Sequence, residues 1–234
     1  MKKIVVGIVA KHRLVDVRRP DLVIRDELKD AIFHNGAIAI GILPPCRAVM
    51  LVTPENESEI SKNIESLLTE EEKENLITQI NMCDGIVLAG GSKSDAYEIW
   101  IAKYCHEKDI PLMAICAGQN NMVRAMGGTT KVVNNPEFHS QFNEELVHEV
   151  NLAKVSRLNK AIGKNQFQVN SRHKRTIDKT GGLEVVGYDD EGNIEIVEDK
   201  NKKYFMGIRF HPESLYLEKE EHNKIFEDFL DSCI

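Results

Sequence analysis

Residues 110–128 read IPLMAICAGQNNMVRAMGG, and the passage changes character at its middle. Ile110–Ile115 is a short apolar run that reads as a buried strand. Cys116 follows, then small residues and amides, then a helical pattern stopped by Gly127 and Gly128. A strand that turns into a helix within one residue belongs to a sheet of parallel strands joined by helical crossovers. The cysteine at the junction has two readings. Free cysteine is among the most buried residue types, so it can be an inert core thiol. It can also be a nucleophile lifted off the sheet end by a tight turn.

The same alternation runs outward from this point. KIVVGIVA (3–10), AIAIGILP (37–44) and GIVLAGG (85–91) read as further buried strands. Between them, PDLVIRDELKDAIFHNG (20–36) carries Leu22, Val23, Leu28, Ile32 and Phe33 near helical spacing with Gly36 as a stop. SDAYEIWIAKYCHEKD (94–109) reads as a helix opened by a Ser or Asp cap. The second half is different: ELVHEVNLAKVS (145–156) alternates as a half-exposed strand, and GLEVVGYDDEGNIEIVED (182–199) reads as two strands around a turn. KYFMGIRFHPE (203–213) is one more strand, and EEHNKIFEDFL (220–230) a closing helix. The expected class is α/β, a mostly parallel central sheet flanked by helices with a small antiparallel region in the C-terminal half. No repeat, linker or low-complexity tract divides it, so residues 1–234 are expected to form one domain. Segment 44–82 is the least regular, and its glutamates 70, 71, 72 and 74 read as a solvated helix face.

Composition excludes several roles. With 30 Lys and Arg against 37 Asp and Glu the net charge is −7, and no basic run or aromatic-rich basic stripe occurs, which argues against nucleic acid as a partner. The five cysteines include no C-x-x-C, so neither a zinc site nor a disulfide framework is indicated, and a reducing, cytoplasmic setting is expected. The apolar stretch after Lys2-Lys3 runs straight into Lys11-His12-Arg13 without a cleavage pattern and reads as a first strand, not a leader. No run approaches the roughly 20 apolar residues of a membrane span.

Residues beyond the carboxyl ends of parallel strands carry the chemistry in such sheets. Cys116 and Gly90-Gly91 both fall there. A thiol at a helix N-terminus gains from the unpaired N–H groups and the partial positive charge. Its base is expected in RFHPE, where His211 ends an apolar strand and Glu213 can reach back across Pro212 to fix the ring. Backbone N–H groups of Ala117 and Gly91 are the candidate donors to a tetrahedral oxyanion. Each feature alone is bland: the cysteine a core residue, HPE a surface turn, the glycine pair only a turn. Together, in this order and each at a strand end, they point to a Cys–His–Glu triad.

With these residues the sequence resembles the class I glutamine amidotransferase-like superfamily, and within it the γ-glutamyl-γ-aminobutyrate hydrolases. DGIVLAGGSKSDAYE (84–98) is similar to the family's oxyanion segment, IPLMAICAGQN to its cysteine elbow, QVNSRHKRTID (168–178) to its substrate-side segment and GIRFHPE (207–213) to its histidine–glutamate segment. The resemblance implies Cys116 as nucleophile, His211 as base, Glu213 as its orienter, and Gly91 and Ala117 as the oxyanion hole. It places Gly90, Asn120, Asn170, Ser171 and His173 at the substrate, and it implies no metal and no organic cofactor. The family more often has glycine where Ala114 stands, arginine where Ala117 stands and glutamine where Asn120 stands. A shorter amide alters reach by one methylene, on the order of 1–3 kcal/mol where a pocket contact depends on it. The cluster Arg172, Lys174, Arg175 either attracts a substrate carboxylate or sits in solvent, and His139 reads as a surface histidine.

Three functions follow from this reading: a stand-alone hydrolase of γ-glutamyl amides, a glutaminase subunit passing ammonia to a synthase partner, and a non-catalytic binding or redox-sensing protein on the same fold. VNSRH and the segment 44–82, which can roof a pocket, favour the first. The expected partner is a small γ-glutamyl substrate, with a homodimer as the default assembly.

Overall fold

The computed structural model describes residues 2–16, 19–45, 51–53, 55–91, 95–143 and 145–234. Along the chain lie β1 (Val5–Val9), β2 (Lys11–Asp16), β3 (Arg19–Val23), α1 (Asp26–His34), β4 (Ile38–Ile42), α2 (Glu57–Lys62), α3 (Glu70–Ile80), β5 (Gly85–Leu88), α4 (Ala96–Lys108), β6 (Leu112–Ile115) and α5 (Ala117–Ala125). There follow β7 (Thr129–Val132), β8 (His148–Leu152), α6 (Arg157–Ile162), β9 (Gln166–Val169), β10 (Arg175–Lys179), β11 (Glu184–Tyr188), β12 (Ile194–Glu198), β13 (Phe205–Ile208) and α7 (Glu220–Asp231).

One nine-stranded sheet, ordered β4-β1-β5-β6-β13-β12-β11-β8-β9, forms the frame. The first five are mutually parallel and the rest continue antiparallel from β13. Helices cover both faces, which is why the parallel strands are apolar on both sides. Strand residues alternate between the two cores. Val87, Met113, Ile115, Met206 and Ile208 pack with α1, α6 and α7, and Ile86, Leu88, Leu112, Ala114 and Phe205 pack with α2, α3, α4 and α5. Ala114 is fully buried and sits opposite Gly207 in the ladder, where the missing Cβ makes room for the Gln119 side chain. At Gly118 the first turn of α5 touches β5: an added Cβ would lie 2.2 Å from the Leu88 carbonyl oxygen, so only glycine permits this approach.

Several local expectations are corrected. Leu22 and Val23 are not on a helix; they belong to β3, which pairs with β2 in a hairpin. The helix begins at Asp26, buries Leu28, Ala31 and Ile32, leaves Phe33 73% exposed, and gives way to Gly36 at φ 82°. Helix α4 starts at Ala96, and Asp95 does not cap it because its carboxylate goes to His12 at 3.0 Å; Ser94 lies outside the described residues. In the 44–82 segment, Thr69 and Glu72 close a reciprocal capping box on α3, which turns Leu76 and Ile80 inward and Glu71 and Glu74 outward. The PPCRAVM portion of that segment, including Cys46, lies largely outside the described residues. No helix among the described residues is long and apolar enough to cross a membrane.

Candidate active site

Strands β5, β6 and β13 are neighbours in the parallel half, so the residues just beyond their carboxyl ends converge. Beyond β6, Cys116 donates its N–H to the Ile208 carbonyl at 2.7 Å and then turns abruptly at φ 51°, ψ −104°. That left-handed conformation is costly for a side chain with a Cβ and is held here by the strand before it and the helix after it. The turn sets the sulfur at the first residue before α5, where the helix N-terminus favours an anion.

Beyond β13 the chain runs through Arg209 and Phe210 to His211 (φ −113°, ψ 84°), which precedes Pro212 and a single 3-10 turn at Pro212–Ser214. Asn170 clamps that backbone from both sides. Its Oδ1 accepts from the His211 N–H at 2.8 Å and its Nδ2 donates to the His211 carbonyl at 2.8 Å. The ring Nδ1 meets Glu213 Oε1 at 2.7 Å, and the ring also hydrogen-bonds the Cys116 thiol, which leaves Nε2 as the nitrogen that faces sulfur. Gly90 lies against both groups: a Cβ there would stand 2.5 Å from the imidazole Cε1 and 3.4 Å from Cys116 Cβ.

All three side chains are more than nine-tenths buried, with Cys116 8% exposed. Burial by itself pushes the thiol up, but the His211 ring and the nearby Arg209 guanidinium outweigh it and bring Cys116 below its ordinary value near 9. Burial likewise lowers His211, yet Glu213 and Cys116 raise it to about 10. For Glu213, burial raises and His211 more than compensates, so its carboxyl stays below the usual range. Both shifts run toward the thiolate–imidazolium form of the pair, with the Glu213 carboxylate beside the ring.

Cys116 opens on a cavity of about 460 Å³. Its walls include Gly91, Ala117, Asn120 and His173, and Leu51–Thr53 from the 44–82 segment close one side. Arg124, Arg172, Lys174, Arg175 and Arg209 also line it, a cationic surface in a chain of net negative charge. Asn170 and Ser171 are fully buried and lie behind the wall: Asn170 is committed to His211, and the Ser171 hydroxyl bonds His139 and His173. His139 is not on the surface; it is fully buried beneath the cavity. Gly90 borders a second, smaller cavity of about 150 Å³ with Lys11, His12 and Arg25. There Lys11 pairs with Glu98 at 2.6 Å and His12 with Asp95 at 3.0 Å, which pins the start of α4 to the start of β2.

Sequence reasoning missed Arg209. It is 1% exposed, and its Nη1 donates to Asn120 Oδ1 at 2.9 Å and to the Cys116 carbonyl at 3.3 Å, holding the elbow from beneath. The signal was an arginine closing an otherwise apolar strand two residues before His211. It also missed Arg124, whose guanidinium bonds Glu57 at 2.9 Å inside the protein and so ties the cavity-side segment to α5.

A family model described as Peptidase C26 matches residues 92–213, the span from just after Gly90-Gly91 to Glu213. Among curated proteins, a CTP synthase of Chlamydia trachomatis is 25% identical over 191 residues, covering 68% of this chain and 35% of that protein. The chain therefore spans about a third of the length of the curated relatives it matches. Among solved structures, the glutaminase domain of Trypanosoma brucei CTP synthase with bound acivicin superposes with a TM-score of 0.63 at 14% identity, over 98% of this chain and 94% of that one. A glutamine amidotransferase from Thermotoga maritima gives 0.58 at 16% identity, over 99% and 85%. At such identities the structural likeness is one of fold.

Proposed function

The chain belongs to the Peptidase C26 family, and from that premise we propose that it hydrolyses a γ-glutamyl amide through a thioester on Cys116. The observation that carries this reading is the buried thiol–imidazole–carboxylate line, Cys116 to His211 to Glu213, opening at its sulfur end on a cation-lined cavity.

The chemistry follows from the groups in place. The Cys116 thiolate attacks the γ-carbonyl carbon, a C–S bond forms and the carbonyl oxygen takes the negative charge. Backbone N–H groups of Gly91 and Ala117, both on the cavity wall, are the proposed donors to it. The His211 imidazolium gives its proton to the leaving nitrogen as the C–N bond breaks, which releases the amine. Water then delivers its proton to His211 and attacks the thioester, and the C–S bond breaks to return the acid and the thiolate. Arg172, Arg175 and Lys174 suit the carboxylate of a glutamyl group. The whole of 1–234 acts as one domain in this reading, in a reducing compartment, consistent with the free Cys83, Cys105, Cys116 and Cys233.

A second reading has an observation of its own. The curated relatives are CTP synthases about three times as long as this chain's matching share, so a glutaminase that acts only with a synthase partner uses the same triad. Intact-mass analysis of the purified chain mixed with glutamine and a panel of γ-glutamyl amides separates the two. A glutamyl adduct on Cys116 and steady release of amine without a partner is the expected result. Turnover of glutamine that appears only when a synthase is added would establish the second reading, and absence of any adduct with full activity in Cys116→Ser would end both.

A further inference from the structure

Behind the cavity wall, one ring nitrogen from each of His139, His148 and His173 lies within 4.8 Å of the other two, and His148 is within the same distance of carboxylate oxygens of Asp189 and Glu195. The hydrogen bonds fix how these rings are set. Nδ1 of His139 faces the Ser171 hydroxyl, Nδ1 of His148 the Glu149 carbonyl and Nδ1 of His173 the Arg175 carbonyl, each at 3.1 Å. The Ser171 hydroxyl also lies 3.1 Å from the His139 carbonyl and 3.1 Å from Nε2 of His173. Each Nδ1 faces an oxygen, so Nε2 is the nitrogen turned toward the cluster: that of His148 has no hydrogen-bond partner among the described residues, that of His173 lies 3.1 Å from the Ser171 hydroxyl and that of His139 3.4 Å from Asn193 Nδ2. This is the arrangement by which an outer oxygen orients an imidazole toward a metal.

The carboxylates lie on that same Nε2 side. Asp189 Oδ2 is 3.5 Å from Nε2 of His139, and Glu195 Oε1 is 3.6 Å from Nε2 of His173. Glu195 is fully buried, and neither of its oxygens, nor Nε2 of His148, has a hydrogen-bond partner among the described residues. Two carboxylate oxygens and a ring nitrogen are costly to leave unmet in a protein interior, and one cation satisfies all three. Glu191 adds a third carboxylate 3.5 Å from Nε2 of His139. Arg209 is the one guanidinium acting on Glu195.

We propose that His139, His148, His173 and Glu195 bind one divalent transition-metal ion, with Asp189 as a further oxygen ligand. Imidazole with carboxylate and no thiolate suits Zn²⁺, with Co²⁺ and Ni²⁺ as substitutes. The ligand atoms, within 4.8 Å of one another in two groups that share His148, draw together to reach a four-coordinate sphere at roughly 2.0–2.2 Å. The ion joins four pieces of chain: the loop before β8, the first residue of β8, the β9–β10 connection and β12. His173 also lines the catalytic cavity, so the ion sets the position of that wall. The site needs no assumption about turnover at Cys116.

The test is equilibrium dialysis of chelator-treated protein against Zn²⁺, with a Co²⁺ titration followed in the visible region and thermal melts with and without Zn²⁺. One ion per chain, a melt raised by Zn²⁺, and Co²⁺ bands of a nitrogen–oxygen set without thiolate charge transfer are expected. Glu195→Gln keeps shape and volume, and it is expected to weaken binding at least tenfold and to remove the Zn²⁺ shift in the melt. His148→Gln does the same, and Cys116→Ser leaves the stoichiometry intact. No bound ion at micromolar Zn²⁺, affinity unchanged in Glu195→Gln and His148→Gln, or an ion lost with Cys116→Ser would each overturn the site.

Discussion

Cys116 differs from the other described cysteines in what surrounds its sulfur. Burial pushes Cys83 to about 11 and Cys233 to about 12, with no cation to oppose it. At Cys116 the same burial is outweighed by His211 and Arg209, and the thiol falls below 9. A rate that counts thiolate therefore separates them. Alkylation of Cys116 by iodoacetamide, mapped to its peptide, is expected to reach half its plateau at a pH below 9, while Cys83 and Cys233 react only in strong alkali. Glu213→Gln removes the carboxylate that sustains the imidazolium, so the Cys116 midpoint is expected to rise. A midpoint unmoved by that change would mean that Glu213 does not act through the ring. The cysteine, histidine and glutamate were legible in the sequence because each closes a recognisable run. Arg209, the clamping role of Asn170 and the burial of His139 were not, since they come from residues distant in the chain: Asn170 acts on His211, Arg209 on Asn120, and His139 meets Asn193 and Asp189.

The elements that shape the cavity are held by buried charge as much as by apolar packing. Arg124 on α5 is 3% exposed, and its partner Glu57, at the start of α2, is 5% exposed. Their 2.9 Å bonds, with Thr130 bonded to both, are what anchor the segment that supplies Leu51–Thr53 to the wall. Removing one partner strands the other, typically at about 3–5 kcal/mol, whereas replacing both by apolar groups is often near neutral. Arg124→Leu is thus expected to lose about that much stability in urea, and Glu57→Leu with Arg124→Leu to recover most of it. A double variant as weak as the single one would show that packing, not the stranded carboxylate, sets the loss. The parallel strands and α4, α5 and α7 were readable because each is a local apolar run or a local period. Hairpin β2–β3, the pair β7–β10 and strand β9 were not, because each is short and mixed in polarity, and only its partner makes it a strand. The segment RPDLV shows the competition directly: its Leu22 and Val23 fit the helical spacing of the residues after it, yet pairing with Lys11 and His12 wins.

Across the molecule, the parallel and antiparallel regions share one sheet, and the join runs through β13. That strand is parallel to β6 on one side and antiparallel to β12 on the other. Its own continuation carries Arg209 and His211, and His211 is fastened to Asn170 from the far side of the antiparallel region. The triad stands on the parallel half, but the clamp on His211 comes from Asn170 beyond β9, and one core cluster holds residues of both halves. Chains of this length often populate intermediates, so cooperativity here is a property to be measured. Trp100, the single tryptophan, lies 4% exposed in the core that α2–α5 form over the sheet, and its fluorescence reports that layer, while far-UV circular dichroism reports all elements. The two urea curves are expected to coincide in one transition, and limited proteolysis is expected to accumulate no stable half. Separated midpoints, or a resistant fragment ending near β13, would divide the chain into two folding units and place the triad at their boundary. The coincidence is expected to persist after chelation, because β13 and the buried ladder around it are independent of any ion at His139, His148 and His173.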